Sequence, residues 1–273
     1  MYSWSFNIQK ILLLFAGFFI LSCETEPEFD NPLDPDNPEF EIPIVFIDAD
    51  FTPGDTLASE TVTVTLVGNE LVDKYRYQFD ETGWTLWAQD SIVTFGYMDE
   101  GDHTISAQAK YVTEDTSEVY SLEFVVNAVH GPALRVFPLL TNASVSELQT
   151  VSIYLEEVEN VKGTEFELAY DPLVVAVQSI EKGTMLNEFS GESVLIDEQF
   201  NVNGQNIIRF DIAVGVGNEP GLSGSGPVAV VEFMPVSAGD FILEISEEAT
   251  FRDYNNVEIS INEIVNGRMV VTP

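Results

Sequence analysis

Basic residues are scarce. Ten Lys and Arg stand against 46 Asp and Glu, for a formal net charge of −36. A nucleic-acid binder needs clustered cations for phosphate, so that class is excluded, and docking on anionic lipid through a basic patch is disfavoured. There is one cysteine, Cys23, which excludes an intramolecular disulfide framework and a cysteine-rich zinc site. There are two histidines, His103 and His130, far apart in sequence, which argues against a multi-histidine metal centre. No Gly-x-Ser-x-Gly, Walker or dinucleotide fingerprint is present. With so many carboxylates, counting acids cannot identify a glycosidase pair. The expectation is that the chain is not an enzyme.

Against these absences, 45% of the residues are hydrophobic and 11% aromatic, enough for a real core and too many for wholesale disorder. The acidity runs through the whole chain: eight acidic and no basic residues in 24–42, sixteen against three in 43–130, and twenty-two against six in 131–273. Such an even spread reads as a solvated surface. The sharper alternatives are calcium affinity or a cationic partner.

Lys10 ends a short polar stretch, and residues 11–21 are an unbroken apolar run. That run is shorter than the about 20 residues a spanning helix needs and suits a secretory signal. Ile20-Leu21-Ser22-Cys23 follows and resembles the lipobox of bacterial lipoproteins. The resemblance implies removal of residues 1–22 and lipid attachment at Cys23, with the lipid supplying membrane affinity. Residues 23–42 read as an acidic, Pro-rich tether. Pro32, Pro35 and Pro38 fall every third residue among acids, and proline with like charges favours an extended spacer. An acidic start after the cysteine resembles the surface-export signals of Bacteroidetes-type lipoproteins, which implies an outer-membrane, surface-facing location.

From Ile44 the pattern has period 2. Thr61–Leu66, Lys74–Phe79, Ser91–Phe95, His103–Ala107 and Ser121–Val126 alternate, broken by Gly, Asp and Asn. Short strands at this spacing predict an all-β chain, with residues 43–127 as one immunoglobulin-like sandwich. Tyr75-Arg76-Tyr77-Gln78-Phe79-Asp80, Trp84-Thr85-Leu86-Trp87 and Asp99-Glu100-Gly101-Asp102-His103-Thr104 resemble the fibronectin-III/Y_Y_Y class of extracellular modules. Tyr75, Tyr77 and Phe79 share a strand face, most simply the core side. Trp84 and Trp87 are read as core or hairpin packing, with a sugar-stacking platform as the alternative. His103 is read as a half-exposed surface histidine.

Gly131-Pro132 punctuates the chain, and a second domain is expected over 131–273. Runs at Leu134–Phe137, Val151–Leu155, Phe166–Tyr170, Leu173–Val177, Ile207–Ile212, Val228–Phe233, Phe241–Ile245, Val257–Ile261 and Met269–Val271 predict a larger jelly-roll sandwich of eight or nine strands. Asp171-Pro172 suits a turn at a strand end, and Gly224 and Gly226 suit a tight connection. The stretch Gly163–Pro172 with its terminal Tyr-Asp-Pro, the glycine-rich Gly221–Phe233, Ala238-Gly239-Asp240-Phe241 and Gly267–Val271 resemble, in order, the cohesin pattern.

Cohesins bind dockerins, small calcium-loaded helical modules. The resemblance implies a binding face on one sheet and an extracellular protein partner, with a dockerin-bearing partner as the specific case. No contact residue is transferred. The alternative is direct binding of polysaccharide, disfavoured because 131–273 has no Trp and only Tyr154, Tyr170 and Tyr254. No cofactor is expected. Calcium stays open at Asp253-Tyr254-Asn255-Asn256 with Glu258, where a plain hairpin turn is the simpler reading.

Overall fold

The structure, a computed structural model, describes residues 30–215 and 219–273. The leader 1–22 and Cys23 lie outside the described residues. The described residues are all-β, as the alternation predicts, apart from one helical turn α1 (Thr184–Asn187).

The first sandwich has seven strands: β1 (Val45–Asp48), β2 (Thr56–Leu57), β3 (Val62–Gly68), β4 (Lys74–Phe79), β5 (Ile92–Phe95), β6 (Gly101–Lys110) and β7 (Tyr120–Val126). One sheet has the order β1-β3-β5, the other β2-β7-β6-β4. In β3 the inward Val62, Val64 and Leu66 are buried, while the outward Thr63 bonds Thr94 of β5 across the strands at 2.9 Å. Ile105, Ala107, Leu122 and Phe124 fill the core from the facing sheet, each inward position being two residues from the next.

The second sandwich is larger than the eight or nine strands expected. It contains β8 (Ala133–Phe137), β9 (Leu140–Ser144), β10 (Gln149–Val161), β11 (Gly163–Tyr170), β12 (Val175–Lys182), β13 (Ser193–Val202), β14 (Gln205–Val214), β15 (Leu222–Pro235), β16 (Gly239–Ile245), β17 (Thr250–Arg252), β18 (Glu258–Ile259), β19 (Glu263–Val265) and β20 (Gly267–Thr272). A five-stranded sheet β12-β15-β10-β8-β19 faces an eight-stranded sheet whose main order is β13-β14-β11-β16-β20-β9. Between them lie Ile153, Leu155, Leu168 and Phe233, with Phe166 stacked on Phe210 at 4.8 Å. The run expected as a strand from Leu173 begins only at Val175. Asp171 caps the preceding turn, its Oδ1 accepting from Leu173 N at 2.8 Å.

The glycine-rich stretch corrects another expectation. It is not a tight connection feeding a strand; it is the first half of β15, paired along β10. Register shifts occur on both sides of Val158↔Gly224. Glu157 and Asn160 of β10 take φ of 47° and 54°, and Gly224 takes φ of 95°. At these bulges the ladder is lost, and hydroxyls replace it: Ser225 Oγ accepts from Glu157 N at 3.0 Å and Ser223 Oγ from Asn160 N at 2.9 Å. Gly224 needs glycine for its φ. Gly226 serves a different purpose, because a Cβ there would press on Met185 of α1 at 3.3 Å.

The two sandwiches meet without a free linker. Val129, Ala133, Leu139 and Val265 form a small buried cluster with Tyr97. Glu100 Oε1 accepts from Ala128 N and Val129 N, both at 2.9 Å, and Asp99 Oδ1 accepts from Leu139 N at 2.8 Å. Arg135, buried, pairs with Glu156 at 2.8 Å and lies over Tyr154. Burial, then the Glu263, Glu100 and Asp99 charges, raise Glu60 above the usual glutamate range. Burial likewise raises Asp99, against the hydrogen bond from Leu139 and the charge of Arg135.

Two outcomes follow from this packing. Phe210→Ala removes a ring stacked in the core and should cost about 3–5 kcal/mol in urea unfolding. For Glu60 the folded state binds more protons than the unfolded chain between the ordinary and the raised pKa, so stability falls as pH rises through that window. Glu60→Gln should therefore raise the unfolding midpoint at neutral pH, and the gain should vanish near about pH 4, where the unfolded carboxyl is itself half protonated. An equal gain at both pH values would contradict a charge origin.

Candidate functional site

The solvent side of the eight-stranded sheet carries the exposed apolar side chains Val194, Ile196, Val202 and Ile242. Alternation puts Phe166, Leu168, Ile208, Phe210 and Ile212 inward, so their neighbours must face out. Antiparallel register then builds cross-strand rows. Val194 of β13 lies beside Ala213 of β14 and Gly163 of β11; Ile196 lies beside Asp211 and Glu165; Glu198 beside Arg209 and Glu167; Phe200 beside Ile207 and Ala169. Val194 is 48% and Ile196 59% exposed. Two shallow depressions mark this face. One lies at Val194, Ile196, Asp211 and Glu165, the other at Leu173, Val202, Ile207 and Ile242.

The charges on the face are mostly acidic, with Arg209 and Arg252 as cations among them. Arg209 is its central cation and is already engaged: Glu167 Oε1 accepts from its Nη2 at 2.6 Å, and the guanidinium lies 5.6 Å from the Phe200 ring. The hydrogen bond and charge of Glu167 hold Arg209 above the usual guanidinium range. Glu198, Asp211, Glu165 and Glu244 share the face with it, and the row of Glu198, Arg209 and Glu167 separates Val194 and Ile196 from Phe200 and Ile207. Strand β13 pairs only with β14. Its mid-strand Asp197 and Glu198 would face like charges in an antiparallel self-pairing, which guards this edge against a second copy.

The residues singled out from sequence fall elsewhere. Trp84 and Trp87 come from the β4–β5 connection and lie on the first sandwich, with Arg76 at 4.8 Å and 4.6 Å from their ring centres. Lys110 stands 5.1 Å from Trp87. The rings are thus engaged by cations that also cover sheet surface, in a hairpin-packing role. His103 is not half-exposed. It is 8% exposed and stacks on Phe79, with Nδ1 2.8 Å from Asp80 Oδ2 and Nε2 2.7 Å from the Asp99 carbonyl. Its partners are brought by chain reversal, which alternation alone does not reveal. Asp253 closes the β17–β18 turn, its Oδ1 accepting from Asn255 N and Val257 N at 2.8 Å each. Among the described residues, no group of three His, Cys, Asp or Glu has a metal-holding arrangement. Tyr170 is buried in the core and Tyr154 pairs with Phe137, so the tyrosines of the second sandwich form no aromatic strip.

No protein-family model matches the chain, and no curated protein matches it. Solved structures do align with it. They are cohesins. A non-cellulosomal cohesin from Archaeoglobus fulgidus aligns at 18% identity over 52% of this chain and 91% of its own, with a TM-score of 0.41. A type II cohesin from Acetivibrio cellulolyticus aligns at 21% over 50% and 94%, TM-score 0.41. A type I cohesin–dockerin complex from Clostridium thermocellum aligns at 15% over 51% and 92%, TM-score 0.39. At such identities a likeness speaks to fold and not to what a neighbour binds.

The buried histidine gives a stability test. His103→Leu keeps the volume but leaves Asp80 Oδ2 and the Asp99 carbonyl without their partner. The expected cost is about 1–3 kcal/mol by denaturant unfolding.

Proposed function

We propose that the chain is a non-catalytic protein-binding module, lipidated at Cys23 and displayed on the cell envelope. In this reading the seven-stranded domain is an immunoglobulin-like stalk and the second sandwich binds an extracellular protein partner. The lipobox resemblance supports the anchor, and the cohesin pattern in the sequence supports a protein partner, with a dockerin-bearing protein as the specific case. The observation that carries the binding role is the exposed face of β13, β14 and β11. Val194 and Ile196 stand on it in adjacent rows and Phe200 and Ile207 in another, with the charged row of Glu198, Arg209 and Glu167 between them. Apolar side chains interleaved with charges on a rigid sheet fit the mixed composition of non-obligate protein interfaces. Its partner would carry apolar side chains beside basic ones.

A surface of sugar-stacking aromatics is not what this face offers: Phe200 is its one aromatic ring, already lying against Arg209. The polysaccharide alternative therefore has the weaker support.

The test is capture of secreted proteins by the immobilised chain, with and without a calcium chelator, set beside the variant Ile196→Asp. Ile196 is exposed, so the variant should change stability by less than about 0.5 kcal/mol. A charge in place of this exposed apolar side chain should nevertheless weaken partner retention more than about tenfold. Equal retention by both proteins, or retention on polysaccharide alone, would remove the face from the binding role.

A further inference from the structure

The segment read from sequence as an extended spacer is folded where the structure describes it. Residues 31–40 are three Asx-Pro-x triplets followed by Phe40: Asn31-Pro32-Leu33, Asp34-Pro35-Asp36, Asn37-Pro38-Glu39. Each triplet closes the same way. The side-chain oxygens of Asn31, Asp34 and Asn37 accept from the N–H two residues on, at 3.0, 3.0 and 2.9 Å. Their carbonyls accept from the N–H three residues on, at 3.2, 2.9 and 2.9 Å. Proline at the second position presets the turn and has no N–H to leave unpaired. From Pro32 to Phe40, every N–H that exists is therefore donated within the segment. Polyproline II has no internal hydrogen bonds, so this is a different structure. Asn37 is buried, and its amide reaches back to the Asn31 carbonyl at 2.9 Å.

The ribbon is also fastened to the first sandwich. Phe40 meets the buried Tyr111 ring edge-on at 6.4 Å. Tyr111 Oη donates to the Glu41 carbonyl at 3.0 Å and accepts from Asn69 Nδ2 at 2.5 Å. Asn69 Nδ2 also donates to the Ile42 carbonyl at 3.3 Å, and its Oδ1 accepts from Ile44 N at 3.2 Å, one residue before β1. These contacts tie the segment to the ends of β3 and β6.

We propose that residues 31–43 are a rigid stem, held by Asx caps and welded to the first sandwich, which fixes that domain's orientation relative to the chain preceding it. This holds whether or not Cys23 carries a lipid and whatever the second sandwich binds.

The test is amide hydrogen exchange on the full chain. The amides of Leu33, Asp34, Asp36, Asn37, Glu39 and Phe40 should exchange at least about tenfold more slowly than in an unstructured peptide. Exchange at the free-peptide rate would overturn the proposal. The triple variant Asn31→Ala, Asp34→Ala, Asn37→Ala should lose this protection while β6 and β10 keep theirs. The swap Asn31→Asp, Asp34→Asn, which preserves the accepting oxygens and leaves the donating amide of Asn37 in place, should keep most of it. A triple alanine variant protected like the parent would show that the caps do not hold the stem.

Discussion

Strand β15 must pair on both sides at once, and the second sandwich depends on it. Over Ala229–Pro235 it lies between β10 and β12, so its ladder groups there have no solvent to fall back on, while its first half runs along β10 with Ser223, Gly224 and Ser225 exposed. Wherever β10 bulges, β15 has to supply something other than a regular ladder bond. Ser223, Gly224 and Ser225 answer that need with two hydroxyls and one left-handed residue. With the bulges accommodated, Val228, Val231 and Phe233 reach the core and α1 can pack close over Gly226. The opposite sheet can then keep its inner side for Phe166 and Phe210 and present its outer side to solvent.

A chain this short of cations uses them as fasteners. Arg76 bridges two tryptophans and Gln108, Arg135 sits beside the junction of the sandwiches, Arg209 clasps Glu167 across two strands, and Arg268 clasps Asp240. Arg209 stands among Glu165, Glu167 and Asp211, and Arg135 pairs with Glu156 near Glu60 and Asp99. Among the described residues the other acids are mostly exposed or half-exposed, while at the junction Glu60 and Asp99 are partly buried and held toward their neutral forms.

Much of the fold was legible because one side of most strands is dry. Val62, Val64 and Leu66, or Phe166, Leu168 and Tyr170, alternate with polar residues, and period 2 has one simple reading. Strand β13 escaped notice for the converse reason. Val194-Leu195-Ile196 does not alternate, because an edge strand over an apolar face is half wet on both sides. The candidate face shared that fate, since it is made by register between β13, β14 and β11, which no single segment displays. His103 was misread because its partner Asp80 is 23 positions away and meets it only through strand pairing. The stem was misread because proline every third residue suits an extended helix and a chain of turns equally. What separates the two is the Asx before each proline.

That triplet arrangement sets a graduation for the segment's length. Each Asx serves the amides two and three places ahead, so the structure repeats only in whole triplets. Adding or removing three residues at a time moves the sandwich farther or nearer without disturbing any cap. Adding one or two residues between an Asx and its proline would set a proline nitrogen, with no hydrogen to give, two or three places ahead of an acceptor. Reach in this chain is therefore adjustable in discrete steps, like teeth on a ratchet bar.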